Sequence, residues 1–172
     1  PYQTIISKSF PYLDISGKKN RVTREQQKIN ELDITRIKYS NNISILLKRT
    51  DYKKNRFSFN VAFGNGKYTV PIDKPGLHLL AEKVLQQSGL AQIDKDQLET
   101  ALAGKDLSYR FKIGPHSLNF SGSADPINAE TVFQLIYHFI HDPGIRKDAL
   151  LLSRERYKQD YESLSRKAEG VM

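Results

Sequence analysis

Residues 75–85, Pro75-Gly76-Leu77-His78-Leu79-Leu80-Ala81-Glu82-Lys83-Val84-Leu85, carry two readings at once. Leu77, Leu80, Ala81, Val84 and Leu85 follow the i, i+3, i+4, i+7, i+8 spacing of one apolar helical face. A helix is therefore expected from Lys74 to Gln87, ended by Ser88-Gly89. That reading makes the apolar set core and leaves Glu82, Lys83, Gln86 and Gln87 as a solvated face. The same stretch also sets His78 and Glu82 one turn apart, where two side chains share a face. Whether that pair does chemistry depends on what surrounds it.

Working outward, the chain alternates between the two periods of regular structure. Upstream, Thr35–Tyr39 and Ile43–Lys48 flank Asn41-Asn42 and read as a tight hairpin, because Asn tolerates positive φ. Phe57–Phe63 alternates with period two and stops at Gly64-Asn65-Gly66. Downstream, Asp94 is expected to cap a second helix reaching about Ala103 and stopped by Gly104. Strands are expected at Leu107–Ile113 and Ser117–Gly122, joined around Gly114-Pro115. Asp125-Pro126 opens a long helix with a buried face of Val132, Phe133, Ile136, Phe139 and Ile140. Asp142-Pro143-Gly144 ends it, and a last helix runs from about Arg146 past Tyr161, with Leu150, Tyr157, Tyr161 and Leu164 on one side.

The order ββ-β-αα-ββ-αα makes the fold α+β, a largely antiparallel sheet with helices packed on one face. Residues 1–30 read as a lead-in, with a short helix beginning at Thr23-Arg24-Glu25-Gln26. Residues 31–172 form the domain. The chain starts at Pro1 and ends within a charged helix-like stretch, so it is expected to be a piece of a longer protein, truncated at its C-terminal end.

Composition narrows the function. Of 172 residues 38% are hydrophobic and 10% aromatic, enough for a real core. The chain has no Cys, which excludes disulfides and every Cys-based zinc site. No run approaches a membrane span, and no signal peptide is visible. The net charge of +8 lies wholly in residues 1–60, with 13 Lys and Arg against 5 Asp and Glu; residues 61–172 hold 14 of each. A nucleic-acid module would interleave such charge with exposed aromatics or glycines. Runs such as Gly17-Lys18-Lys19-Asn20-Arg21 lack that organisation and read instead as solvated linker and loop. A basic nucleic-acid module stays as the remote alternative.

A catalytic zinc ion takes three protein ligands and keeps one position open for water. In H-x-x-E-H helices, two His grip the metal and the Glu before the second His activates the water. His78 has no second His within a turn; the others are His116, His138 and His141. His138 and His141 sit near a helix end, where His commonly meets the last carbonyls. His78 and Glu82 are a pair and not a site.

From Thr35 to about Leu164 the chain resembles the insulinase/pitrilysin family of zinc metallopeptidases. More narrowly, it is similar to the first αβ unit of the inactive C-terminal repeat in long bacterial members. The stretches that carry this are the hairpin through Asn41-Asn42 to Lys53-Lys54; Phe63-Gly64-Asn65-Gly66 with Pro75-Gly76-Leu77; and Phe120-Ser121-Gly122-Ser123-Ala124-Asp125-Pro126 with Phe133–Tyr137 and Asp142-Pro143. Leu152–Lys158 resembles the closing helix. Against the family pattern G-L-x-H-x-x-E-H, the first zinc His falls on Leu79, the base on Glu82 and the second His on Lys83. The third ligand, a Glu further on, lands near Gln159-Asp160, without a Glu in register.

The resemblance implies a processing-peptidase-like αβ unit, no catalytic or metal-ligating residue in this segment, and no cofactor in it. Zinc belongs to the other half of the parent. The implied role is to complete and gate a chamber that encloses peptide substrates, with the other half of the same chain as partner and the periplasm as compartment, the cytoplasm staying as the alternative because the absence of Cys fits both. The family's peptide-gripping Arg and Tyr lie further along that repeat, so Arg154 and Tyr157 receive no such role. Residues from Pro11 to about Asn30 are expected to link the halves. A pseudoenzyme scaffold is the alternative.

Overall fold

The computed structural model describes residues 9–13 and 24–166. These fall into two compact units, one made of residues 9–13 with everything from Phe57 onward, the other of residues 24–56.

The smaller unit is an antiparallel sheet of β1 (Arg24–Ile29), β2 (Ile34–Tyr39) and β3 (Ser44–Lys48), in that spatial order. Arg24 pairs with Tyr39, and Ile34 with both Ile29 and Lys48. Asn42 takes φ 65° at the β2–β3 turn, as the Asn41-Asn42 signal implied. The helix expected to begin at Thr23-Arg24-Glu25-Gln26 is corrected: Arg24–Ile29 is a strand. Its composition carries no period of either kind; the ladder to β2 decides its conformation. The lead-in over residues 1–30 therefore contains a paired strand in its last third, while residues 1–8 and 14–23 lie outside the described residues. All five β3 residues are exposed, so this sheet has no buried face of its own.

The larger unit holds β4 (Phe57–Phe63), α1 (Leu77–Ser88), α2 (Lys95–Leu102), β5 (Leu107–Ile113), β6 (Leu118–Ala124), α3 (Ala129–His141) and α4 (Lys147–Arg166). Its sheet is antiparallel in the order β4-β6-β5. Both neighbours meet β6 at Gly122, which faces Phe59 on one side and Tyr109 on the other. A Cβ there would overlap the carbonyl oxygen of Ser108 and press on the Phe59 ring, so only glycine allows the close approach. Asp94 caps α2 in full: its carboxylate accepts from the Gln97 amide at 2.8 Å, and the Gln97 side chain accepts from the Asp94 amide at 3.0 Å.

Phe120 on the central strand stacks on Tyr109 and meets Phe139 of α3, with Leu90, Ile93, Leu98, Val132, Leu135 and Ile136 completing the core. Three expected faces need correction. On α3, Phe133 and Ile140 are exposed, and Leu135 and His138 take their places in the buried stripe. On α4, Tyr161 and Leu164 are exposed, while Ala149 and Ser153 are buried. At the start of α1, Leu77 is exposed. A turn of 3₁₀ helix, Pro126–Asn128, precedes α3 where a continuous helix was expected.

Two polar fasteners close the unit. The Arg146 guanidinium donates to the carbonyls of Ser88, Leu90 (2.8 Å) and Ala91 (3.2 Å), satisfying the C-terminal end of α1 from the start of α4. His138 is fully buried; its Nδ1 donates to the Gln134 carbonyl at 2.7 Å, and its Nε2 accepts from the amides of Tyr12 (3.2 Å) and Leu13 (3.0 Å). An imidazole with that pattern is neutral. The Tyr12 hydroxyl donates to Asp142 at 2.9 Å, and burial, then that bond, pushes its pKa up to about 12.

Candidate functional site at α1, β5 and α4

The left-handed Gly76, with φ 80°, turns the chain into α1 and puts Leu79, Glu82 and Lys83 on its first turns. Leu79 and Lys83 are exposed. Glu82 is half-buried, and its Oε2 accepts a hydrogen bond from the Ile113 amide at 3.1 Å. One turn on, Gln86 Nε2 donates to the Phe111 carbonyl at 2.9 Å. The wet face expected for Glu82, Lys83, Gln86 and Gln87 is thus corrected. Two of these four side chains are bonded to the edge of β5, because β5 is the outer strand and presents backbone groups that need partners.

The ladder explains which groups those are. In antiparallel pairing the amide and carbonyl of one residue point to the same side, and sides alternate along the strand. With Ile113 and Phe111 bonded outward to α1, Tyr109 also directs its amide and carbonyl outward. They face an open recess of about 490 Å³ lined by Gln86, Gln87, Lys95, Glu99 and Phe139. Lys95 and Glu99 pair across one helical turn at 3.5 Å. Burial, and then Glu99, raise the pKa of Tyr109.

From α4, the Tyr157 hydroxyl donates to the Leu79 carbonyl at 3.2 Å. Its pKa is raised by burial, then by the negative charges of Glu82 and Asp160. A narrow recess of about 120 Å³ is lined by Lys83 and Gln87 of α1 with Ser153, Arg156, Tyr157, Gln159 and Asp160 of α4. The structure therefore brings Lys83 next to Gln159-Asp160, the two parts of the sequence aligned with the second and third zinc ligands.

The histidines do not gather there. His116 lies tilted against the Tyr68 ring with centroids 4.9 Å apart, His141 bonds the Tyr137 carbonyl at 3.0 Å, and His138 holds residues 12 and 13. Among the described residues, no three His, Asp or Glu stand close enough to share a metal ion. Leu79 offers no donor atom, Lys83 offers a cation, and one Glu82 oxygen is engaged by Ile113. That set does not fit zinc. The role of Gln86 had no signal in the sequence, since its partner, the Phe111 carbonyl, is set by tertiary packing.

No family model and no curated protein sequence matches the chain. Among solved structures, it matches the periplasmic protease PqqL from Escherichia coli with a TM-score of 0.74 and 19% identity, over 96% of this chain and 19% of that one. It matches the ferredoxin protease FusC, solved in complex with Arabidopsis ferredoxin, with a TM-score of 0.61 and 19% identity, over 87% of this chain and 16% of that one. The α+β fold is shared with a segment of each of these two proteases. The chain spans under a fifth of either protease. Among the described residues no helix is long and apolar enough to cross a membrane.

Proposed function

We propose that this chain is a non-catalytic αβ unit of a zinc metalloendopeptidase, the first unit of its inactive half, serving as chamber wall and substrate contact. One observation carries the reading: Glu82, at the position of the family's catalytic base, is bonded to the Ile113 amide, with Leu79 and Lys83 at the positions of the two imidazoles. The likeness to two proteases supports it at the level of fold.

The open edge of β5 at Tyr109 supplies the substrate contact: an extended peptide can add to it as a strand, using main-chain hydrogen bonds. The other half of the parent supplies zinc and the cleavage step, and residues 11–30 link the two. The periplasm is the compartment we favour, after PqqL.

The test uses the 172-residue chain, loaded with zinc and dialysed, then mixed with an unstructured casein peptide. The reading expects no retained zinc, no cleavage, and slower hydrogen exchange at the Tyr109 amide when peptide is present. Stoichiometric zinc with peptide turnover would overturn it. Unchanged Tyr109 exchange would remove the substrate contact and leave a scaffold.

A further inference from the structure

Ser153 is 2% exposed, and its hydroxyl has no hydrogen-bond partner. A buried hydroxyl left unpaired costs free energy, so each such group calls for a physical reason. This one lines the narrow recess between α1 and α4, beside Lys83 and Arg156. Among the described residues neither of those cations has a carboxylate within ion-pair distance.

A recess of about 120 Å³ matches the share of about four water molecules, each about 30 Å³ in the liquid. A space lined by two cationic residues and a serine hydroxyl complements a small oxyanion, whose oxygens accept charge-assisted hydrogen bonds. Asp160 on the same wall can accept from a donor beside the bound oxygens, as in monohydrogen phosphate or in the final peptide amide next to a terminal carboxylate.

We propose that the recess between α1 and α4 binds a small oxyanion, held by the ammonium of Lys83, the guanidinium of Arg156 and the hydroxyl of Ser153. The position that a metal-binding imidazole would take in an active relative has become, in Lys83, the centre of an anion site. The proposal does not depend on the chamber reading, because it needs only these side chains.

Two ligands share the chemistry: free phosphate, and the terminal carboxylate of a peptide. The ¹⁵N-labelled full chain is titrated with inorganic phosphate, with N-acetyl-Ala-Leu, with the C-terminal amide of that dipeptide, and with sodium chloride at matched ionic strength. Saturable shifts at the Lys83 and Ser153 amides are expected with phosphate or with the free dipeptide, and not with the amide or chloride. Whichever ligand saturates at lower concentration identifies the source. Lys83→Met should weaken that binding about tenfold or more. Ser153→Ala should weaken it with the fold intact, since the alanine leaves no hydroxyl to satisfy. If phosphate and free dipeptide shift no more than chloride does, or if both variants bind as the wild type does, the recess holds only water and the proposal fails.

Discussion

The edge of β5 differs along its length. The outward carbonyl of Phe111 and the outward amide of Ile113 are taken by Gln86 and Glu82, whereas at Tyr109, on the same side, the backbone groups face an open recess. The strand itself does not cause this, since Leu107-Ser108-Tyr109-Arg110-Phe111-Lys112-Ile113 alternates without a break. The cause is α1, which lays two polar side chains one turn apart along the strand. An unpaired edge invites another strand. Here a helix sets where that invitation ends, and the residue it uses as the stop stands at the position of a catalytic base.

The largest disturbance removes the sheet beneath both stretches. Phe120 is 1% exposed and pairs with Phe111 from the central strand. Phe120→Ala should cost about 3–5 kcal/mol in urea denaturation, the usual range for an aromatic truncated in a core. Amides of the clamped and open stretches should then lose protection together. A loss below about 1 kcal/mol would mean that the two stretches do not rest on a common core.

Much of this frame was legible. β5 was read to the residue, as was the Asp94 cap of α2, because each is decided within a few positions by period or by a side chain bonding its own helix. The failures share a cause. β1 has no apolar alternation, and its pairing with β2 alone makes it a strand. Glu82 and Gln86 looked solvated because a charged or amide side chain carries no mark of a distant backbone group that will need it. His138 was expected to meet the last helix carbonyls; instead it is buried and bonds the mid-helix carbonyl of Gln134, and its two donors arrive from residues 12 and 13, more than a hundred positions away in sequence. The site divides the same way. The absence of imidazoles at 79 and 83 was plain, and the use found for Glu82 was not.

A smaller effect is expected away from the edge, and it serves as the control. Folding favours the neutral form of Tyr12, since its pKa rises from 10.0 to about 12. The stabilisation is therefore complete below pH 10.0 and lost as the pH climbs through about 12. Tyr12→Phe should cost about 1.5 kcal/mol at neutral pH by losing the bond to Asp142. The gap in melting temperature between variant and wild type should close at the alkaline end. Exchange at Ile113 and Tyr109 should not change, and a change there would tie the strap over α3 to the edge of β5.

The smallest global effect is the most telling. Glu82 is half-exposed, so Glu82→Ala should cost about 1 kcal/mol or less, water replacing the carboxylate at the Ile113 amide. The local effect is read by hydrogen exchange, residue by residue, on the full chain. The account predicts that the Ile113 amide exchanges about tenfold faster in Glu82→Ala, with Glu82→Gln in between and Tyr109 unaltered. An Ile113 amide indifferent to both substitutions would contradict it, for Glu82 would then not be the clamp that closes this edge.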